Sequence, residues 1–255
     1  MGLYRDQGVV LRTIRLGEAD RIITLVTQGH GKVRAVAKGV RKTKSRFGAR
    51  LEPLSHVSLL LYEGRELDVV TQAESLDHFR AIRDDLDRVG RAASMLEAVD
   101  QVAQEREPSS QLYQLLVGAL RALAAADAPL VQAAFFWKLL SLEGAHPVLH
   151  QCATCGSAGE LVAFDLAEGG ALCRACRRGV PISPGALDLL RLILGGGLAE
   201  ALNRPHGRAG VELEHLANRS MEFHLERRLR SLGVLDGTAA GARRWAGGAP
   251  TPSGS

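Results

Sequence analysis

All four cysteines of this 255-residue chain lie in two C-x-x-C knuckles, Cys152 with Cys155 and Cys173 with Cys176, separated by 17 residues. Each knuckle offers two thiolates, and two knuckles at this spacing complete the tetrahedral donor set of a Cys₄ zinc ribbon. Gly156 and the small Ala175 ease the turns that aim backbone amides at the sulfurs. The competing chemistries are a pair of disulfides or a redox C-x-x-C. The start MGLYRDQGVV lacks the apolar core of a signal peptide, so the expected compartment is the cytoplasm, where structural disulfides are disfavoured. No thioredoxin-like βαβ pattern surrounds either knuckle. Four sulfurs leave zinc no open position, so a single Zn²⁺ here is expected to be structural and to hydrolyse nothing. His146 and His150 lie near the first knuckle and are not needed as ligands.

The second chemical signal is charge. From Arg21 to Leu51 the chain carries nine Lys or Arg residues and no Asp or Glu. Six of the nine, Lys38, Arg41, Lys42, Lys44, Arg46 and Arg50, fall in KGVRKTKSRFGAR (38–50), which has no alternating apolar pattern and reads as an exposed loop between strands. A cluster of one sign suits a polyanion whose phosphates recruit several cations together and release counterions. Lys32 and Arg34, on the preceding strand, would extend the track across the barrel. Phe47 is the one aromatic inside the basic stretch. It either stacks on a base beside Arg46 or plugs the barrel, and the local pattern leaves both open.

Composition restricts the alternatives. The formal net charge of +4 divides unevenly: residues 1–80 hold 14 Lys or Arg against 9 Asp or Glu, and residues 81–255 hold 18 against 19. No apolar run approaches the ~18 residues that span a bilayer, so no membrane partner is expected. Catalytic templates fail. Gly31-Lys32 sits where a phosphate-binding loop would end, but Val26 replaces its first glycine and Val33 follows the lysine. His224-Leu225-Glu226 follows both knuckles, the wrong order for a zinc deaminase. No G-x-S-x-G elbow occurs. The chain is expected to bind and not to catalyse.

The elements that must position these groups change period near Arg80. Before it, Val9 to Ile14, Ile22 to Thr27, Val33 to Ala37, Val57 to Tyr62 and Leu67 to Thr71 read as strands, with a glycine-rich turn at 28–32. Five short strands with one long loop suggest an OB fold, and an SH3-like barrel satisfies the same pattern. After it, helices are predicted over about 84–105, 110–125 and 130–142, a fourth from Ser183-Pro184, and a fifth over 211–232 ending at Gly233. Phe135-Phe136-Trp137 falls at core spacing. Arg219, Arg227, Arg228 and Arg230 form a second basic patch, interleaved with Glu222 and Glu226 and expected to pair along the helix. The expected division is a 1–80 barrel, an 81–236 helical domain with a zinc-binding insertion at about 148–180, and a disordered Gly/Ala/Pro/Ser tail over 237–255, in which Trp245 is incidental.

The segment GKVRAVAKGVRKTKSRFGARLEP (31–53) resembles the hallmark of the RecO family of bacterial recombination mediators, and LYRDQGVVLRTIRLGEADRIITLVT (3–27) is similar to that family's opening. The resemblance extends over about residues 3–236. It implies an α+β architecture, an N-terminal five-stranded OB-fold barrel followed by an all-helical domain with an inserted Cys₄ zinc motif. It also implies binding of single- and double-stranded DNA, annealing of complementary strands, and help in loading RecA onto DNA coated with single-strand-binding protein, acting with RecR. Phosphate contacts would then come from Lys32, Arg34, Lys38, Arg41, Lys42, Lys44, Arg46 and Arg50, with Phe47 beside them. Without the resemblance, the residues also admit an RNA-binding or transcription-associated module, or an enzyme using the cysteines.

Overall fold

The structure is a computed structural model and describes residues 2–45, 47–126, 128–226, 229 and 231. Five strands come first: β1 (Leu3–Leu16), β2 (Asp20–Thr27), β3 (Gly31–Ala37), β4 (His56–Tyr62) and β5 (Asp68–Asp77). They close in the order β1-β2-β3-β5-β4, with β1 returning to pair antiparallel with β4. β3 and β5 are parallel at Ala35–Asp68 and Val36–Val69. This Greek-key closure is that of an OB fold and decides between the two barrels the strand pattern allowed.

Alternation explains the wall. On β3, Val33, Ala35 and Ala37 are buried in the barrel while Lys32, Arg34 and Val36 face out. β1 serves two neighbours, β4 through Leu3–Val9 and β2 through Gly8–Leu16, with a bulge between Val10 and Arg12 that bends it. The 38–55 connection does not simply loop out. A 3₁₀ turn at Gly48–Leu51 folds beneath the barrel, and Phe47 and Leu51 join Val10, Ile23, Leu25 and Val70 in its core.

The second part holds α1 (Arg80–Arg83), α2 (Leu86–Val102), α3 (Ser110–Ala125), α4 (Val131–Leu142), α5 (Pro184–Leu194), α6 (Leu198–Asn203) and α7 (Arg208–His224). Side-chain oxygens of Asp85, Ser109 and Ser183 accept the first free amides of α2, α3 and α5. α4 is the central helix. Phe135, Phe136 and Trp137 are all buried, as their core spacing predicts. Burial of such side chains contributes about 2–3 kcal/mol each. Between α4 and α5 a small sheet of order β7-β6-β8 is built from β6 (Leu161–Asp165), β7 (Gly170–Cys173) and β8 (Val180–Pro181). It docks through Phe164, whose ring meets Trp137 edge-on at 5.5 Å. Arg191 on α5 holds it by donating to the Leu149 carbonyl at 2.6 and 3.1 Å.

Two helices depart from the sequence expectation. α2 ends at Val102 instead of about 105, because 104–106 runs extended along the open edge of β3: Lys32 N donates to Gln104 O, and Arg106 N to Lys32 O, each at 3.1 Å. That edge would otherwise expose unpaired backbone. α7 spans Arg208–His224 where 211–232 was expected. Glu226 has a positive φ of 52°, which cannot continue a helix. Gly233, Trp245 and the 237–255 tail lie outside the described residues. Among the described residues no helix is long and apolar enough to cross a membrane.

Candidate nucleic-acid surface and metal centre

The basic loop is docked, not free-floating. Gly39 N donates to Asp20 Oδ1 at 2.7 Å, Arg41 N to the Ala19 carbonyl at 3.0 Å, and Arg41 Nη1 to the Gly17 and Glu18 carbonyls at 3.3 and 2.8 Å. The first half of the loop is thereby held against the β1–β2 turn, and Arg41 serves as its clamp. Lys38, Lys42 and Lys44 are exposed, and no carboxylate among the described residues lies within ion-pair distance of them. These three carry the uncompensated charge. Arg50 is exposed on the 3₁₀ turn, its Nη1 3.4 Å from the Phe47 carbonyl. Arg46 lies outside the described residues.

Three expectations about this surface change. Phe47 is 1% exposed inside the barrel, so plugging, and not base stacking, is its role in this conformation. Lys32 does not extend an open track: its Nζ donates to the Asp100 carbonyl at the end of α2, 2.9 Å away. Arg34 faces Glu105 at 3.9 Å, and its buried Nε has no hydrogen-bond partner among the described residues. The acid-free stretch from Arg21 to Leu51 is also less one-sided in space, since Arg21 Nη1 donates to Glu52 Oε1 at 2.6 Å. Strand pairing adds a cation that a linear window misses. Arg15 sits directly opposite Arg21 at the end of the β1–β2 hairpin and is exposed. In the last helix, Arg219 is exposed and makes no ion pair among the described residues, while Glu222 instead accepts the Leu229 amide. Arg227, Arg228 and Arg230 lie outside the described residues.

The four cysteines converge. Cys152 and Cys155 flank a turn whose Cys152 carbonyl accepts the Gly156 amide at 2.9 Å, with Gly156 at φ +70° as its permissive residue. Ala153 N donates to the Ala171 carbonyl at 2.9 Å, which ties this turn to β7, the strand that ends in Cys173. Gly170 makes the approach possible, because a Cβ there would stand 2.8 Å from the Val148 carbonyl and 2.9 Å from the Ala153 methyl. All four Sγ atoms fall within 4.8 Å of one another, and Cys155 and Cys173 are 3.8 Å apart. A tetrahedral ion with metal–sulfur bonds of about 2.3 Å separates its sulfurs by about 3.8 Å. The arrangement therefore fits one metal ion held by Cys152, Cys155, Cys173 and Cys176. His146 instead meets the Ser141 hydroxyl, and His150 is outside the cluster.

Electrostatics favours the same conclusion. Backbone amides of Cys173 and Cys155 directed at Cys152 pull its thiol down to about 6. Hydrogen bonding of the Cys176 thiol to the Cys155 and Cys173 sulfurs, with burial, pushes it up to about 12. Four adjacent thiolates repel one another, and a divalent cation relieves that repulsion on displacing their protons.

Comparison with protein-family models agrees with this architecture. The model for the N-terminal part of Recombination protein O matches residues 1–79, which hold the barrel. That for its C-terminal part matches residues 83–233, which hold the helices and the cysteine cluster. With both halves matched in order along one chain, and a closed barrel leading into helices as its structure, the protein belongs to the Recombination protein O family of DNA recombination and repair proteins.

Proposed function

We propose that the protein is a non-enzymatic mediator that binds single- and double-stranded DNA through the docked basic loop and anneals complementary strands. The observation that carries this reading is the set of three exposed lysines, Lys38, Lys42 and Lys44, which have no ion-pair partner among the described residues and are fixed to the barrel through Arg41. Two strands repel as polyanions over a Debye length of about 10 Å in ordinary salt. A rigid cationic edge neutralises phosphates on both and lets bases meet, without reading them. Arg15 and Arg50 extend that edge. Lys32 and Arg34 contribute only where their present partners, the Asp100 carbonyl and Glu105, give way.

In this reading the metal is Zn²⁺, one per chain, held by Cys152, Cys155, Cys173 and Cys176; when bound it cross-links the two knuckles and supplies no reaction. The barrel (1–80), the helical domain (81–236) with its insertion at about 148–180, and a tail beyond them form the functional division. The family connection supports a place alongside RecR, single-strand-binding protein and, indirectly, RecA, in the cytoplasm at the nucleoid. The test is an annealing assay with complementary oligonucleotides and the purified chain, without nucleotide. Faster pairing without ATP is expected. A strict ATP requirement, DNA cleavage, or preference for RNA over DNA of the same sequence would overturn the reading.

A further inference from the structure

We propose that the cavity where α4, α7 and the turn between β6 and β7 meet is a binding site for a small, neutral aromatic compound carrying a hydrogen-bond-accepting oxygen, a site separate from the basic loop of the barrel. Two orphaned polar groups point to it. Among the described residues, Trp137 Nε1 on α4 and Ser220 Oγ on α7 are buried without a hydrogen-bond partner, and both residues line this cavity. They are 1% and 7% exposed. Arg34, Arg88 and His56 also bury an unpaired nitrogen, but each has a second nitrogen engaged, with Glu105, the Ala124 carbonyl and the Tyr113 hydroxyl respectively. The indole and the hydroxyl have one polar atom each, so folding takes both from water and returns nothing. A ligand in the cavity supplies the missing partner.

The lining selects its chemistry. An indole N–H only donates, whereas a hydroxyl donates or accepts, so the ligand must present an acceptor to Trp137. Trp137 and Phe164, set edge-on to each other, give the cavity two aromatic walls, and Leu140 and Pro147 add apolar ones. Among the described residues no Lys or Arg lines it, so nothing offsets the charge of a phosphate or carboxylate, and the exposed Glu226 at its rim repels one. Its volume is about 320 Å³. An apolar cavity of about 150 Å³ already takes benzene, so a substituted single ring fits. Small residues leave the space open: Ala145, Ala167 and Gly169 offer little side chain, and a Cβ on Gly169 would meet nothing within 4 Å. Phe223, 53% exposed, stands where the cavity reaches solvent. A ring seated here braces α7 against the turn that leads into β7, the strand that ends in Cys173.

Trp137 can be watched directly, because the chain has two tryptophans and Trp245→Phe leaves Trp137 as its only indole. The full-length Trp245→Phe protein is titrated with p-cresol and with p-xylene, which has nearly the same shape without the oxygen, while NMR follows the indole N–H. p-Cresol should move that resonance saturably, and p-xylene should bind about tenfold more weakly, the worth of one hydrogen bond. Adding Ser220→Ala should weaken p-cresol roughly three- to tenfold and leave p-xylene unchanged, without lowering the melting temperature, since it removes a buried hydroxyl that has no partner. Adding Ala167→Leu, on the exposed turn, should block both compounds by filling the space. Equal affinity for p-cresol and p-xylene, no saturable shift with p-cresol, or a p-cresol affinity that Ser220→Ala leaves unchanged would overturn the proposal. So would a shift produced by N-acetyltyrosinamide alone, which would assign the cavity to a protein partner.

Discussion

Arg106 Nη2 donates to Asp68 Oδ1 at 2.6 Å, and that carboxylate, at the start of the barrel's last strand, is completely buried. Tyr4 Oη donates to its other oxygen, and the Gly64 amide donates at 3.0 Å. Burial alone would raise the Asp68 pKa, but hydrogen bonds from Arg106, Tyr4 and Gly64 outweigh it and hold the carboxyl below its usual range. One ion pair thus pins the segment after α2 to the barrel, beside the contacts of Arg12 and Lys32 with Asp100.

The two partners are not equivalent, because Arg106 keeps 43% of its side chain in solvent and Asp68 none. Arg106→Ala leaves a buried charge without its cation and should cost about 3 kcal/mol. Asp68→Asn frees Arg106 to turn into water and should cost less, about 1–2 kcal/mol. Because the folded-state pKa is depressed, the contribution of Asp68 is complete above its unfolded value near 4 and is lost as pH falls through the lower, folded value. Urea unfolding of both variants at pH 7 measures the order of the two losses.

Metal content is expected to be about one zinc per chain by elemental analysis. Stripping it, or replacing Cys173 and Cys176 with serine, should release amide protection across residues 148–182, while β1–β5 keep theirs. Hydrogen exchange with and without chelator reads both regions in one experiment. A metal-free protein with two disulfides would sink this assignment.

The basic loop should separate charge from architecture. Changing Lys38, Lys42 and Lys44 to alanine removes three phosphate contacts at roughly 0.7 units each, so the slope of log K against log salt should become shallower by about 2 units for single strands. The weakening should be similar for all sequences and the melting temperature nearly unchanged, since these side chains are exposed and make no ion pair among the described residues. Arg41→Ala should also loosen the loop, seen as faster amide exchange at positions 39 and 41, because the Arg41 guanidinium clamps the Gly17 and Glu18 carbonyls.

His56 makes the fold sensitive to mild acid. It is buried at the barrel–helix junction with Nε2 2.7 Å from the Tyr113 hydroxyl, and burial, reinforced by Arg121, lowers its pKa from the ordinary 6.5. Neutral His56 is therefore favoured by folding, and its contribution, complete above pH 6.5, is lost as pH falls through the folded value. Stability should decline from pH 7.5 to 5.5 by denaturant titration, and His56→Gln should flatten that decline.

The sequence by itself determined the features set by local spacing and composition. The Cys152–Cys155 and Cys173–Cys176 knuckles announce a four-thiolate site because metal chemistry demands those intervals. The density of cations from Lys38 to Arg50 marks a strongly basic segment, because charge sums without reference to fold. Alternation marked the strands, and three-to-four-residue spacing marked α2 to α4, because each records which local face is buried.

Tertiary structure decided whatever depends on closure between distant segments. The barrel is an OB fold because β3 meets β5 in parallel, a pairing that no local pattern encodes. Phe47 points inward because the barrel needs its end filled. Lys32 and Arg34 read as free cations until 104–106 folded along β3 and brought Asp100 and Glu105 beside them. Arg15 acquires its place only through register, since it stands opposite Arg21 on the paired strand. Periodicity reports that a side chain is covered, whereas the identity of what covers it is settled by long-range packing.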